Sequence, residues 1–300
     1  MSPSESPPNQ TQVLPLPSGR NIGYQLSGPE NAPLLILSNP LLTNLTIWDP
    51  LIPTLHVHNY RVLRYDNPGH GSSSAPPLDD TDNITFALLA GDLLFLLNAL
   101  HISSVHTFIG ASMGGATGVY LATLNPGIIK NLIICDTGMC APVVAGIEDP
   151  FARRVEMARI NADGMKVLTE QALERWFGAL WRSEKKEEVE RMRGLMRTTT
   201  REGFIACCHA LRDRSYDLRP LLGALKGAVE RVLFVVGGVD ADFPQVMEKM
   251  RNSVMEGMEK QGEKEREREV GRAVIRGSGH LPMIDNPERF LRKVLKFLES

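Results

Sequence analysis

Ser112 stands in Gly110-Ala111-Ser112-Met113-Gly114-Gly115, a G-x-S-x-G spacing. The apolar run Val105 to Ile109 precedes it and a helix-like stretch, Gly118 to Leu124, follows. Strand, sharp turn, helix is the setting in which a serine serves as nucleophile. The turn must be tight and strained to lift the hydroxyl off the sheet. Side chains two residues before and after would collide there, so glycine is used. The helix N-terminus behind Ser112 favours developing negative charge. A serine hydroxyl is a weak nucleophile and needs a base. Of seven histidines, His280 alone lies late in the chain just past an apolar run, on Gly277-Ser278-Gly279-His280. An acid must orient that histidine and stabilise its charged form. Asp240, reached from the run Arg231 to Val236 through Gly237-Gly238-Val239, is the first choice. Asp242, two residues on, and Asp136, at the end of an earlier run, are the alternatives. A tetrahedral intermediate needs two backbone donors. One is the N–H of Met113. The other comes from Ser38-Asn39-Pro40-Leu41-Leu42-Thr43, where Pro40 has no N–H and Leu41 is the natural donor. This is acyl transfer, and it implies neither metal nor organic cofactor.

These residues must be positioned by a sheet. Val13 to Leu16 and Ile22 to Leu26 flank Pro17-Ser18-Gly19 and read as a hairpin. Leu34 to Leu37, Arg61 to Tyr65, Val105 to Ile109, Leu132 to Cys135, Arg231 to Val236 and Val270 to Ile275 read as further strands. Several are continuous apolar runs, as strands buried on both faces require. Helical spacing is clearest from Ile84 to Leu100. Strand–helix alternation predicts a mostly parallel eight-stranded sheet flanked by helices. The alternation breaks after Asp136. Helices are predicted over 150–161, 165–180, 184–196 and 201–212, with no strand among them. The expected organisation is a disordered segment 1–12, an α/β core over 13–136 and 217–300, and a helical cap over 137–216. A terminal helix starts near Asn286-Pro287-Glu288, where proline suits the first turn. The mixed-charge run 259–269 reads as a solvated helix face or mobile loop.

The chain has 300 residues, enough for one large α/β domain with an insertion. A net charge of −2 leaves no basic excess to hold a phosphate backbone, so nucleic acid is not an expected partner. No apolar stretch reaches the roughly 18 residues of a membrane span. The start, Met1-Ser2-Pro3-Ser4-Glu5, has neither the basic nor the apolar part of a secretory signal, so a cytoplasmic location is expected. Cys135, Cys140, Cys207 and Cys208 then read as reduced, buried small hydrophobes.

With these pieces placed, the chain resembles the 3-oxoadipate enol-lactonase group of the α/β-hydrolase fold from about Ile22 to Phe297. The resemblance is carried by Leu37-Ser38-Asn39-Pro40-Leu41 with Trp48-Asp49, by Arg64-Tyr65-Asp66 with Gly69-His70-Gly71, and by Gly110 to Gly115. In the cap it is carried by Glu174-Arg175-Trp176-Phe177 and by 206–213. It implies Asp240 as acid, His280 as base and Leu41 as second oxyanion donor. Leu42 stands where the family has glycine, no arginine stands near Asn67 or Pro68, and the charged run 259–269 departs from the pattern. The expected activity is hydrolysis of a small lactone or ester by a Ser-His-Asp triad through an acyl-enzyme. A carboxylesterase or thioesterase of a larger metabolite, and a ligand receptor on the same fold, are the alternatives. If the substrate carries a carboxylate, Arg153, Arg154, Arg175 and Arg212 are the candidate cations, and Trp176 is the expected pocket wall.

Overall fold

The computed structural model describes residues 10–257 and 269–300. Eight strands form one sheet: β1 (Gln12–Pro15), β2 (Asn21–Ser27), β3 (Leu34–Ser38), β4 (Arg61–Tyr65), β5 (Val105–Ala111), β6 (Ile129–Cys135), β7 (Arg231–Gly237) and β8 (Val270–Ile275). Their order is β1-β2-β4-β3-β5-β6-β7-β8. The first hairpin and the β2–β4 pair are antiparallel, and every other pair is parallel. Each predicted run is a strand. The parallel centre is dry because helices cover both faces: all five residues of β3 are buried, as are the last five of β6.

Four helices accompany the first six strands or follow them: α1 (Ile52–Val57), α2 (Phe86–Ala99), α3 (Met113–Leu124) and α4 (Pro142–Ala145). Thr85 caps α2 by accepting from the Leu88 N–H. The chain then continues through α5 (Ala152–Ile160), α6 (Gly164–Trp176), α7 (Ala179–Glu184), α8 (Lys186–Met196) and α9 (Arg201–Arg212). Short α10 (Arg219–Leu222) and α11 (Leu225–Ala228) precede β7 and pack on α3 and on α12 (Phe243–Glu256). The chain closes with α13 (Pro282–Asp285) and α14 (Pro287–Leu298). Pro287 opens α14 and the Asn286 side chain accepts from the Arg289 N–H.

The helix expected over 165–180 is two helices. Phe177 turns extended and Gly178 starts the next element with ψ 150°. Phe177 is fully buried and stacks on Trp181 at 4.5 Å between centroids, so packing fixes the break. Cys135, Cys207 and Cys208 are buried thiols, whereas Cys140 is only partly buried. Of the expected disordered segment 1–12, residues 1–9 lie outside the described residues, while Gln12 already pairs with Tyr24. The charged run likewise falls outside the described residues up to 268. No helix among the described residues is long and apolar enough to cross a membrane.

One ion pair ties the first hairpin to the core. Arg20 Nη2 donates to Asp92 Oδ2 of α2 at 2.6 Å, with both side chains nearly buried. Removing one partner strands a charge away from water, whereas removing both does not. Arg20→Met should cost about 3 kcal/mol in urea denaturation, and Arg20→Met with Asp92→Leu should recover most of that loss. Equal stability of the single variant and wild type would show that the pair contributes nothing.

Candidate active site

The parallel register brings the predicted residues to one edge. Ser38 pairs with Gly110, Ala111 with Cys135, Cys135 with Val235, and Gly237 with Ile275. The carboxyl ends of β3, β5, β6, β7 and β8 therefore lie side by side, where open α/β sheets bind ligands.

Ser112 sits between β5 and α3 with φ 53° and ψ −117°. A serine in that region is strained. The surroundings hold it there. Its N–H donates to Cys135 O at 2.7 Å, and its carbonyl accepts from Gly115 N–H and from Thr137 Oγ1, each at 3.0 Å. A Cβ on Gly110 would lie 2.3 Å from Gly114 O, and one on Gly114 would lie 2.4 Å from Ser38 O. These are backbone contacts that cannot give way, so the two glycines are required by space. Ser112 is half-buried at the head of α3.

His280 follows β8 and is nearly buried. Its Nδ1 lies 2.8 Å from Asp240 Oδ2. Asp240 is also nearly buried, on the turn after β7. That pairing makes Nδ1–H the donor and leaves Nε2 as an acceptor. Asp242 is exposed at the head of α12, and it is Asp240 that meets the histidine. Asp136 is buried at the end of β6, with its Oδ1 accepting the Gly237 N–H at 2.8 Å.

Trp176 ends α6 inside the helical insertion. Its ring stacks on His280 at 5.6 Å between centroids, and its carbonyl accepts the His280 N–H at 3.1 Å. Phe243 meets the imidazole edge-on at 5.3 Å between centroids. Asp285 accepts the Gly279 N–H, and burial pushes its carboxyl up to about 7. Sequence reasoning missed Phe243 and Asp285. The short distance from His280 to Asp285 along the chain was a usable signal for the second.

Leu41 and Met113, the two expected donors, are buried. Among the described residues no acceptor is bonded to the Leu41 amide, nor to the Met113 amide. The neighbouring Leu42 N–H is already used, donating to His70 Nε2 at 3.1 Å. The loop carrying Leu41 hangs on a polar lattice. Asn39 donates to Tyr65 O at 2.7 Å and accepts from Trp48 Nε1 at 2.8 Å. Asp66 accepts from the N–H groups of Leu45 and Ser72 at 2.7 and 2.9 Å. Thr200, which caps α9, donates its N–H to Gly69 O at 2.8 Å, so the helical insertion also rests on this lattice.

Of the four candidate arginines, Arg175 lies within electrostatic reach of both Arg154 and Asp240. Arg175 is an exposed residue whose guanidinium lies 5.8 Å from the Trp176 ring centroid, with the Arg154 charge nearby. Arg154 lies over Phe151 at 5.2 Å. Neither has a carboxylate at ion-pair distance among the described residues. Arg212, by contrast, is paired with Asp149, and Arg153 is exposed. Among the described residues no group of three or more His, Cys, Asp and Glu side chains is placed to hold a metal.

Comparisons with known proteins identify the fold family. Residues 33–159 match the family model described as alpha/beta hydrolase fold. The chain is 30% identical to 3-oxoadipate enol-lactonase 2 of Acinetobacter baylyi over 79% of this chain and 85% of that protein. It is 26% identical to 3-oxoadipate enol-lactonase 1 of the same organism over 94% of both. The crystal structure of the enol-lactonase from Burkholderia xenovorans LB400 is similar, with a TM-score of 0.80 and 28% identity over 96% of this chain and all of that one.

His70 yields a pH test of the lattice. It is fully buried, with Nδ1–H donating to Pro68 O at 2.9 Å, and burial holds its pKa down to about 4 from 6.5. The folded state stays neutral where the unfolded state takes up a proton. Its contribution to stability is therefore complete above about 6.5 and is lost as pH falls toward 4. His70→Asn keeps one donor and one acceptor and cannot titrate. Between pH 7 and pH 4 the unfolding free energy of this variant, relative to wild type, should rise by about 3 kcal/mol. A difference that stays constant with pH would sink this account.

Proposed function

The chain belongs to the α/β-hydrolase fold family, homologous to its 3-oxoadipate enol-lactonases and esterases, and from that premise we propose that it is a serine hydrolase of a small lactone or ester. The observation that carries the reading is the 2.8 Å contact of His280 Nδ1 with Asp240 Oδ2, made at the sheet edge where Ser112 occupies its strained turn. In this reading His280 Nε2 takes the Ser112 proton as the Oγ attacks the carbonyl. The amides of Met113 and Leu41 stabilise the oxyanion. His280 gives the proton to the leaving oxygen, and a water activated by the same nitrogen then cleaves the acyl-enzyme. For a lactone, the leaving oxygen remains tethered to the acyl group. Residues 137–216 serve as a cap domain, and Trp176 walls the pocket.

Arg154 and Arg175, neither of them ion-paired among the described residues, favour a substrate that carries a carboxylate, since a guanidinium fork matches a planar anion. A fold this widely shared does not choose the substrate by itself.

Three variants test the reading. Ser112→Ala should abolish ester hydrolysis while far-UV dichroism and thermal midpoint stay those of wild type. Turnover near wild type would end the proposal. Asp240→Asn should lower kcat by orders of magnitude, about 10⁴ in the serine-protease template. Arg175→Met should raise KM about tenfold or more for a carboxylated lactone and leave a neutral ester unaffected. Equal changes for both substrates would remove the arginine from recognition.

A further inference from the structure

The acidic corner of the site holds one carboxyl more than the proposed reaction uses. Asp136 ends β6 with φ 43°, in the left-handed region that a non-glycine residue occupies only when its surroundings insist. Its side chain is closed off from solvent. Oδ1 accepts the Gly237 N–H at 2.8 Å. Oδ2 meets no N–H or O–H donor among the described residues. The neighbour within hydrogen-bonding reach is the Asp240 carboxyl.

Two ionised carboxylates cannot hold such a contact. Neither oxygen has a hydrogen to give, and the like charges repel by about 4 kcal/mol at 4 Å in a medium of effective dielectric about 20. One proton between them removes both objections. The surroundings say where it rests. Asp240 accepts from His280 Nδ1 and is attracted by Arg175. Asp136 has one backbone donor. Burial, Asp240 and Asp285 on α13 all push its carboxyl well above the usual carboxylate range, and its own neighbour on β6 is the buried thiol of Cys135.

We propose that Asp136 is a positioning residue, a neutral carboxylic acid whose Oδ2–H donates to the Asp240 carboxylate and holds it toward His280. The proton stays on Asp136 throughout turnover, Asp240 stays ionised, and only His280 gains and loses a proton. The effect on rate rests on the serine-hydrolase reading, whereas the proton sharing does not.

Two substitutions separate a donor from a filler. Asn at 136 can still accept from Gly237 and donate to Asp240, and Leu can do neither. Asp136→Asn should lose no more than about tenfold in kcat, and Asp136→Leu about 10³-fold with KM little changed. An Asn variant as damaged as the Leu variant, or as damaged as Asp240→Asn, would overturn the proposal. Should the Leu variant fail to fold, infrared difference spectra of wild type against Asp136→Asn decide the matter. At pH 8 Asp66 and Asp285, held at about 6 and about 7, are largely ionised. The spectrum should then lose the carbonyl stretch of one protonated carboxylic acid. Loss of an ionised carboxylate band instead would refute proton sharing. Activity surviving in Ser112→Ala would remove the hydrolase reading and leave the infrared result standing.

Discussion

The arrangement of this protein turns on a contact between two backbones. Gly114, in the first turn of α3, lies against the carbonyl of Ser38 at the end of β3, with no room for even a methyl group between them. Because Ser38 and Gly110 also pair in the sheet, the elbow and the head of the Ser38–Thr43 loop form one rigid block. A nucleophile and an oxyanion donor must keep their separation through two chemical steps. In the proposed reaction that separation would be set by strand pairing and glycine packing, which do not fluctuate as a surface loop does. The strain at Ser112 is held by the same block through the Cys135 and Thr137 contacts.

The outer part of that loop lacks a strand to hold it, and hydrogen bonds take over. Leu42 is bent into the left-handed region at φ 67°, a conformation that favours glycine. A leucine pays roughly 1 kcal/mol for such a backbone. Two features offset the cost: its N–H is bonded to His70, and its side chain is buried, only 3% exposed. The neighbouring Leu41 amide has no bonded acceptor among the described residues.

Much of this was legible in the residues. The strands are short apolar runs closed by polar or glycine residues, and burial on both faces leaves few alternatives for such runs. The glycine spacing around Ser112 stated its own steric reason. The residues ranked Asp240 first but left Asp136 and Asp242 open, since all three follow buried strands. The choice depends on which carboxyl the loop after β8 meets, a matter of register between β7 and β8. Nor could α12 be read. Met247, Met250 and Val254 are its only fully buried residues, and charged neighbours mask them. His70, Phe243 and Asp285 gain their roles from partners brought close by folding: the Leu42 N–H, the His280 ring and the Gly279 N–H.

The helical insertion is more than a cover. Its Trp176 carbonyl holds the His280 amide and its indole stacks on the imidazole, while Thr200 at the start of α9 holds the Gly69 carbonyl beside His70. His280 and the loop beside His70 are thus each fastened to the helical insertion. In the proposed reaction, a shift of α6 to admit a larger substrate would also move the histidine relative to Asp240, so substrate choice and proton transfer would be mechanically joined. Drift in the insertion is limited to changes that leave the Trp176 carbonyl in place, while the side chains around it remain free to vary.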